Sequence, residues 1–509
     1  MVKKSKKVPE VIKLKQTLSS FKNGVVSNTD ERCLPFKTGK VGYNFNFSSG
    51  ALEQSFGLTS FKIKNATYPA DGTNKEYYVI ALPSAFYPYR SWHYRHFDAN
   101  NNYAKADKLL VVGSNKRIVE FSIPTSTYGI PNSIGTLYLS GFPIDAVNYR
   151  LNNRDVMIIT YENSPMQVYD ACESGANRLR TISTAPNILS MCVHYERLFA
   201  VVASNRNAVY FSSELDPTAW DVGLSGAGFI EMIDERGRLT KVVSFAGYVY
   251  IFREYGIARL TAYADQTDFV VNQLFTSCGR IYENTISVCG NKILFLAEDG
   301  LYSFNGVSTT KLTMNIESMF KGKDNSKAVG AYFQGKYYLA CNLNYFDSIS
   351  VGCESSSPVN NSILQIDLKT GDLTIVRGFD ISFFTSVTES SKSQLICCHN
   401  TFNTLFLGEF TEDNGTFYGT NMPKYWLTPT TDFSYPRRLK IIREIHIYSK
   451  YDMVLVINSD LEKKTINIYG KNKKQKIKVD VKGNEFNFEI KSTTQYAQIS
   501  SPDIIIDVV

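Results

Sequence analysis

Histidines and carboxylates are the first residues to weigh for chemistry, because they bind metals or move protons near neutral pH. The chain has only five histidines among 509 residues. His93 and His96 stand close to Asp98, a spacing that could hold a metal ion. The same segment carries Tyr87, Tyr89, Trp92, Tyr94 and Phe97. This composition is typical of a packed aromatic strand. We therefore predict no metal site and no cofactor.

A group of carboxylates could instead act on a glycan. Its members are Glu214, Asp216, Asp221, Asp234 and Glu235. A glycosidase needs two carboxyls about 5 to 10 Å apart across a sugar cleft. Asp216 and Pro217, however, also form an ordinary turn opening, and Trp220 suits an apolar gap between sheets. We favour a structural role and predict no catalytic residues, with a carbohydrate-binding or glycan-cleaving protein as the alternative.

Motifs with a firm mechanism are missing from the sequence. It contains no GxxxxGK(S/T), HExxH, GxSxG or paired CxxC. The cysteines are an odd, irregularly spaced set: Cys33, Cys172, Cys192, Cys278, Cys289, Cys341, Cys353, Cys397 and Cys398. Several lie in apolar runs, which favours reduced packing residues over a disulfide framework or a zinc site. The sequence does not indicate an enzyme.

Basic residues are concentrated near the two ends of the chain, which carries 55 Lys and Arg against 48 Asp and Glu. Candidate contacts to DNA or to a partner are Lys3, Lys4, Lys6, Lys7, Lys463, Lys464, Lys471, Lys473, Lys474, Lys476 and Lys478. Such lysines could touch phosphates without reading sequence, or meet an acidic neighbouring subunit. Lysines at hairpin tips and sheet edges also keep strands soluble, which is the plainer interpretation.

The chain shows no sign of a membrane anchor. The basic start is followed by residues 8–18, an interrupted run that makes a poor secretory signal. No stretch approaches the roughly 18 uncharged apolar residues of a membrane-spanning helix. We expect synthesis in a cytoplasm.

A repeated hairpin pattern is the clearest structural signal. In residues 292–312, three apolar runs are separated by Asp299-Gly300 and Asn305-Gly306, the strongest short hairpin turns. Looser copies lie at 107–121, 155–169, 197–211, 247–260, 336–376 and 394–410. Copies start roughly 40 to 60 residues apart, close to the length of a propeller blade. This predicts an all-β fold, a β-propeller-like ring of about six to eight blades. A row of β-sandwiches would give similar spacing.

Composition changes suggest domain boundaries. We predict a basic N-terminal arm at 1–40, the propeller at 41–420 and a proline-containing linker at 421–439. Residues 440–509 alternate apolar and polar side chains, which predicts a small C-terminal antiparallel β domain.

Several motifs, in their order along the chain, resemble one family. The most specific part combines 194–199 (HYERLF), 207–212 (NAVYFS), Asp216-Pro217 and Trp220. Further parts are 44–52 (NFNFSSGAL), Phe56-Gly57, Ala185-Pro186, 250–256 (YIFREYG), 299–306 (DGLYSFNG) and 431–433 (TDF). Together they resemble the tail-hub, nozzle and packaged-DNA-stabilisation proteins of short-tailed bacteriophages, the head-tail connector proteins of podoviruses.

The resemblance implies a structural virion protein of the phage tail, made in the host bacterial cytoplasm. It implies a propeller-bearing homo-oligomer, usually a hexamer, that extends the portal and adaptor channel. Tail fibres or spikes would bind below, and packaged double-stranded DNA would leave through the channel during ejection. A generic scaffold propeller for protein partners is a weaker alternative.

Overall fold

Strand pairing arranges the middle of the chain as a ring of seven antiparallel sheets. The computed structural model describes residues 11–17, 21–30, 33–64, 77–79, 86–123, 137–223, 226–263, 266–277, 279–345, 359–388, 393–399, 407–412, 415–500 and 502–509. In six sheets, four strands follow in chain order from the innermost outwards. The seventh sheet closes the ring with a strand from near the N-terminus.

The blades have the following strands. Blade 1 comprises Pro88–Tyr94, Lys108–Gly113, Arg117–Ser122 and Leu137–Tyr138. Blade 2 comprises Pro143–Leu151, Arg154–Tyr161, Gln167–Tyr169 and Leu179–Thr181. Blade 3 comprises Ile188–His194, Arg197–Val202, Ala208–Phe211 and Gly228–Glu231. Blade 4 comprises Leu239–Phe245, Tyr248–Arg253, Gly256–Thr261 and Val270–Thr276.

The remaining blades complete the circle. Blade 5 comprises Ser287–Cys289, Lys292–Ala297, Gly300–Phe304 and Thr309–Lys311. Blade 6 comprises Val329–Phe333, Lys336–Cys341, Ser362–Asp367 and Leu373–Arg377. Blade 7 comprises Ile381–Thr388, Ser393–His399, Gly408–Thr411 and Gly57–Ser60, extended by Thr416–Phe417 and Thr420–Asn421. The all-β propeller expected from the sequence is confirmed, and every predicted hairpin copy supplies middle strands of one blade.

The ring also carries two short two-stranded ribbons and a few helical turns. The ribbons are Phe97–Asp98 with Ala104–Lys105, and Lys62–Lys64 with Tyr77–Val79. The 3-10 turns are Gly175–Arg178, Gln266–Asp268, Glu283–Thr285 and Met314–Ile316, and the α-helical turn is Glu317–Phe320. Among the residues that the structure describes, no helix has the length and apolar character of a membrane-spanning segment.

Both ends of the chain build a second unit, here called the terminal domain. Its first sheet has the order Ile12–Thr17, Asp503–Val508, Lys440–Ile447 and Gln475–Gly483. Its second sheet has the order Val41–Tyr43, Lys424–Leu427, Phe486–Ser492, Met453–Ser459 and Lys463–Ile468. A small third sheet joins Phe45–Asn46, Leu52–Gln54 and Gln498–Ile499.

The two larger sheets of the terminal domain pack as a sandwich. Ile442 and Ile504 of the first sheet share one core with Trp426 and Ile490 of the second. The alternation of buried and exposed residues in Gln475–Gly483 fits strands with one side against that core. The same core contains Leu339 and other side chains of blades 5 and 6, so the sandwich rests directly on the ring.

The domain boundaries drawn from the sequence differ from the strand pairing. Ile12–Thr17, placed in an arm, pairs along its length with Asp503–Val508. Val41–Tyr43, placed in the propeller, and Lys424–Leu427, placed in the linker, pair with each other in the terminal domain. The first described propeller strand is therefore Gly57–Ser60. These contacts join residues hundreds of positions apart, which a local pattern does not reveal.

Candidate functional site: the hub of the ring and the basic sheet

Five innermost strands share one backbone irregularity near their start. In blades 1, 2, 3, 4 and 7 the pairing with the next strand skips a single residue. The skipped residues are Tyr89, Ile144, Leu189, Thr240 and Ser382. A bulge of this kind bends a strand and re-aims the side chains that follow it.

The residue after each bulge lines a cavity at the centre of the ring. These residues are Arg90, Asp145, Ser190, Lys241 and Phe383. Glu162, Arg206 and Glu283 join them, and the cavity has a volume of about 380 Å³. The lining therefore holds three cationic and three anionic side chains. Sequence inspection missed this set because equivalent positions carry different residue types.

Hydrogen bonds link the hub residues from blade to blade. Asp145 of blade 2 accepts from Met191 N at 3.2 Å and from Ser190 Oγ at 3.5 Å in blade 3. Ser190 Oγ in turn accepts from Val242 N of blade 4 at 3.3 Å. Asp145 also accepts a hydrogen bond from Ala146 N at 2.9 Å, so both of its carboxylate oxygens accept hydrogen bonds within the ring. The carboxylate therefore joins blades 2 and 3, and Ser190 extends the link to blade 4.

Lys241 continues this chain of contacts towards blade 5. Its Nζ donates to the carbonyls of Glu283 and Ile286 at 3.3 and 3.4 Å. Burial lowers the pKa of the Lys241 ammonium, and the positive charge of Arg90 acts in the same direction. Asp145 and the Glu283 side chain oppose that shift. The Lys241 side chain thus links blade 4 to the segment that leads into blade 5, and the nearby carboxylates offset part of the cost of burying its charge.

The ring closes on the other side through hydroxyl groups. Ser91 Oγ of blade 1 lies 2.6 Å from Thr385 Oγ1 of blade 7, and Thr385 Oγ1 lies 2.7 Å from the Ser91 carbonyl. In blade 6, the buried Tyr337 hydroxyl donates to the Thr285 carbonyl at 2.6 Å, next to blade 5. A Cβ at Gly330 would overlap that hydroxyl, so only glycine fits there.

The carboxylates considered for glycan chemistry do not meet at the hub. None of Glu214, Asp216, Asp221, Asp234 and Glu235 lines the central cavity described above. Glu214 is an exposed partner of Arg197 at 3.8 Å. Asp234 pairs with Arg253 at 2.6 Å. A hydrogen bond from the Arg236 backbone N–H and the nearby Arg253 guanidinium outweigh partial burial and hold the pKa of that carboxyl below its usual range.

The two histidines considered for metal binding have different surroundings. His93 Nε2 lies 3.1 Å from Asp107 Oδ2 in blade 1, and that imidazole is one cause of the lowered pKa of Asp107. His96 is buried and faces Cys172 of blade 2 with Nε2 at 3.9 Å from Sγ. Asp98 also reaches Cys172. His96, Asp98 and Cys172 are the three described residues whose ligand atoms could share a metal ion.

The cysteines of the described residues carry no disulfide. Cys192, Cys289, Cys341, Cys397 and Cys398 are buried, and burial raises the pKa of each thiol. Most of this set therefore packs as expected, whereas Cys33 is exposed and Cys172 is half-buried. Cys278 and Cys353 lie outside the described residues.

The lysines singled out near the C-terminus lie on the terminal domain, and several are paired. Lys474 Nζ lies 2.6 Å from Asp503, Lys476 Nζ lies 2.8 Å from Glu444, and Lys463 Nζ lies 3.9 Å from Glu489. Lys464 donates to the Val479 carbonyl. These four lysines therefore have partners within the terminal domain itself.

Three exposed lysines of that group have no ion pair within the described part of the chain: Lys471, Lys473 and Lys478. Lys471 and Lys473 lie in the loop that connects Lys463–Ile468 of the second sheet to Gln475–Gly483 of the first. Lys478 lies in Gln475–Gly483, an edge strand of the first sheet, and exposed Tyr469 begins the loop. We call Lys471, Lys473 and Lys478 the basic edge. Lys3, Lys4, Lys6 and Lys7 lie outside the described residues.

Comparisons with known proteins find likeness in overall shape only. No family model matches the chain, and no curated protein matches it. Among solved structures, BBS1N from a crystal with ARL6DN has a TM-score of 0.39 and 8% identity, covering 65% of this chain and 93% of that one. Kluyveromyces lactis Hsv2 has a TM-score of 0.33 and 9% identity, covering 53% and 82%. Both are propeller proteins, and we base the fold on the strand pairing itself.

Proposed function

We propose that this chain is a structural subunit of the tail of a short-tailed bacteriophage, at the hub or nozzle. In this role it would extend the portal and adaptor channel, retain packaged DNA and form the conduit for genome exit. It would work in the virion as a homo-oligomeric ring and would not turn over a substrate. Two observations support the proposal. The motifs follow one another along the chain in the order seen in the family, and their residues hold parts of the fold together.

The observation that carries the proposal is that the motif residues of blade 3 serve rigidity. Trp220 packs in the core shared by blades 2 and 3, and its Nε1 donates to the Pro217 carbonyl at 3.0 Å. Asp216 Oδ1 accepts from Thr218 N at 2.9 Å and fixes the turn. Arg197 Nη1 donates to the carbonyls of Ser212 and Gly226 at 3.2 and 2.7 Å. The residues that carry the family resemblance thus fix the shape of a blade. Residues with that role favour a rigid structural protein, as the wall of a channel requires.

A residue of another motif, Asn44, joins the two units of the molecule. Asn44, at a positive φ of 61°, donates to the Pro423 carbonyl at 2.7 Å and accepts from Arg377 N of blade 6 at 2.8 Å. Its backbone N–H also bonds the Ile375 carbonyl at 2.8 Å. The buried amide thus fixes the terminal domain on the ring. A stiff two-part block of this kind suits a channel wall that must hold pressurised DNA.

The partners follow from the same proposal. Portal or adaptor proteins would bind above and fibres or spikes below, with the double-stranded DNA contacted without sequence preference. The basic edge is the surface we assign to DNA or to an acidic neighbouring subunit, because its ammonium groups are exposed and not neutralised within the described chain.

Immunogold electron microscopy tests the proposal directly. Antibodies raised against the purified chain would be applied to phage particles from the source of the sequence, with antibodies to the major capsid protein as the positional control. Label at the tail vertex is the expected result, and mass photometry of the chain mixed with its portal and adaptor should show a ring on the connector. Particles without label at the vertex, together with no binding to the connector, would overturn the proposal.

A carbohydrate-binding propeller is the second candidate, and the hub cavity is the observation in its favour. A volume of about 380 Å³ and three carboxylates, Asp145, Glu162 and Glu283, would accommodate a small sugar. Against it, Asp145 already serves backbone groups through both oxygens. A glycan array with the Glu162→Gln variant as control tests this candidate. Wild-type binding that the variant loses would favour it over the tail subunit.

A further inference from the structure

Three side chains of different chemistry meet where blade 1 touches blade 2. His96 follows the inner strand of blade 1, Asp98 lies in the ribbon Phe97–Asp98, and Cys172 lies in the loop after Gln167–Tyr169 of blade 2. Cys172 Sγ is 3.9 Å from His96 Nε2 and 3.5 Å from Asp98 Oδ1. The three ligand atoms lie within 4.8 Å of one another.

Two of these separations are close to those around a tetrahedral zinc ion. With Zn–S near 2.3 Å and Zn–N or Zn–O near 2.0 to 2.2 Å, neighbouring ligand atoms stand about 3.5 Å apart. The two contacts of Cys172 are already close to that spacing. A small adjustment of side chains would therefore admit a metal between the three groups.

The hydrogen bonds around His96 favour the tautomer that a metal requires. Tyr94 donates its hydroxyl proton to the Asp155 carbonyl, so the phenol oxygen is left to accept from His96 Nδ1, 3.1 Å away. With the proton on Nδ1, the lone pair of Nε2 is available on the side of Cys172, 3.9 Å away. Metal-binding histidines are oriented in this way by a partner on the other ring nitrogen. His96 is only 2% exposed, so the ring has little freedom to turn away.

Both loops of the cluster are held by further hydrogen bonds. Asp170 Oδ1 accepts from Cys172 N at 2.8 Å, and Asn100 Nδ2 donates to the Cys172 carbonyl at 3.0 Å. Asp98 Oδ1 accepts from Asn100 N at 2.9 Å. Asp98 and Cys172 are partly exposed, which leaves a path for an ion and for a water molecule as fourth ligand.

We propose that His96, Asp98 and Cys172 form a zinc site that staples blade 1 to blade 2. Zinc binds nitrogen, carboxylate and thiolate ligands, usually in tetrahedral geometry, and the thiol gives up its proton when the metal binds. His93 does not belong to the set, because its Nε2 already serves Asp107. The site goes beyond the proposed tail function and does not depend on it.

Cobalt substitution of the purified full-length chain gives a readout that only a metal–thiolate bond produces. After treatment with EDTA and desalting, Co²⁺ should generate a thiolate-to-cobalt charge-transfer band and intense tetrahedral visible bands, which Zn²⁺ then abolishes. Competition with a chromophoric chelator measures zinc affinity and stoichiometry. The Cys172→Ser variant should lose the charge-transfer band, and the Cys33→Ser variant should keep it, since Cys33 is exposed and apart from the cluster.

Tyr94→Phe separates a positioning role from mere packing. It removes the hydroxyl that orients His96 but keeps the ring, and should weaken zinc affinity by about 10- to 100-fold with the cobalt band retained. Circular dichroism of each metal-free variant reports whether the fold persists. If the wild-type chain shows no charge-transfer band with Co²⁺, or if Cys172→Ser keeps the band, the zinc site does not exist.

Discussion

Glu120 holds two blades together with a single carboxylate oxygen. Its Oε2 lies 3.2 Å from Lys108 Nζ in the same blade and 3.0 Å from Arg178 Nη2 in blade 2. The Glu120 side chain is 1% exposed and both cationic side chains are 13% exposed. Removing one partner of such a buried group leaves charges unpaired, which costs far more than the pair itself contributes.

The Glu120→Ala variant should therefore lose about 3 kcal/mol of the free energy of unfolding. Urea denaturation at neutral pH measures the loss, and Glu120→Gln should lose a similar amount because the missing charge is the cause. The control is Glu412→Ala, since Glu412 pairs with Lys336 while 72% exposed. An exposed pair contributes at most about 1 kcal/mol. Equal losses at both positions would contradict this account of the interface.

Lys424 carries a buried ammonium whose titration should be visible in stability. Burial lowers the pKa of Lys424 from 10.5 to about 8, and its Nζ donates to the Met422 and Thr494 carbonyls at 3.2 and 2.7 Å. Between these two pKa values the unfolded chain holds the proton and the folded chain does not. Stability therefore rises with pH across that window and is constant below it.

Compared with Lys424→Met, the wild-type unfolding free energy should gain on the order of 3 kcal/mol between pH 8 and 10.5. Urea titrations across the window, expressed as the difference between the two proteins, cancel the other titrating groups. Lys292→Met, at an exposed position, controls for the loss of a lysine. A difference that stays flat with pH would show that Lys424 is not charged and buried as described.

Single residues were the hardest features to predict from sequence. The hub set has no motif, because Arg90, Asp145 and Lys241 are alike only in following a bulge. His96 was considered with His93 on spacing alone. The structure instead brings Cys172 to His96 from 76 positions away. Such contacts depend on how blades abut, and no local pattern reports that.

Elements were predicted far better, because hairpin turns and apolar runs are local signals. The run at 292–297 and the Asp299-Gly300 turn match strands Lys292–Ala297 and Gly300–Phe304. The sequence did not predict the strands whose pairing partners lie far away in the chain. Ile12–Thr17 has the lysine-rich alternation of an edge strand, which in sequence resembles a solvated arm. Gly57–Ser60 is likewise too short to be assigned to blade 7 without its partner.

Closure of the ring by Gly57–Ser60 gives a prediction at this scale. Phe61 N donates to the Leu407 carbonyl, and the alternation of antiparallel pairs then puts Thr59 N on the carbonyl of its partner Glu409. Thr59→Pro removes that donor and should cost about 3 kcal/mol. Hydrogen exchange should show lost protection in Ile381–Thr388, the inner strand of the blade.

The matched control is Thr59→Val, which keeps the backbone N–H and the side-chain shape. It should leave exchange in blade 7 as in the wild type. If Thr59→Pro also leaves blade 7 protected, the strand from the N-terminus is not what closes the ring.

At the scale of the whole molecule, the ring and the terminal domain form one body. A shared core joins the sandwich to blades 5 and 6, and Asn44 bonds across the same junction. The charges are distributed differently in the two parts. The hub balances three cations with three anions. The ammonium groups of the basic edge, by contrast, have no ion pair among the residues that the structure describes. We therefore propose the basic edge as the surface for any polyanion contact.

Salt dependence of DNA binding tests that placement. Each lysine that neutralises a phosphate contributes about 0.9 to the slope of log K against log salt on duplex DNA. Replacing Lys471, Lys473 and Lys478 together by Gln should therefore reduce the slope by about 2 to 3, equally for unrelated sequences. Fluorescence anisotropy over a range of salt concentrations measures it. The control replaces the exposed propeller lysines Lys292, Lys321 and Lys369, which removes the same net charge. Equal changes in the two variants would mean that net charge alone drives binding, and the basic edge would then be a solubility device.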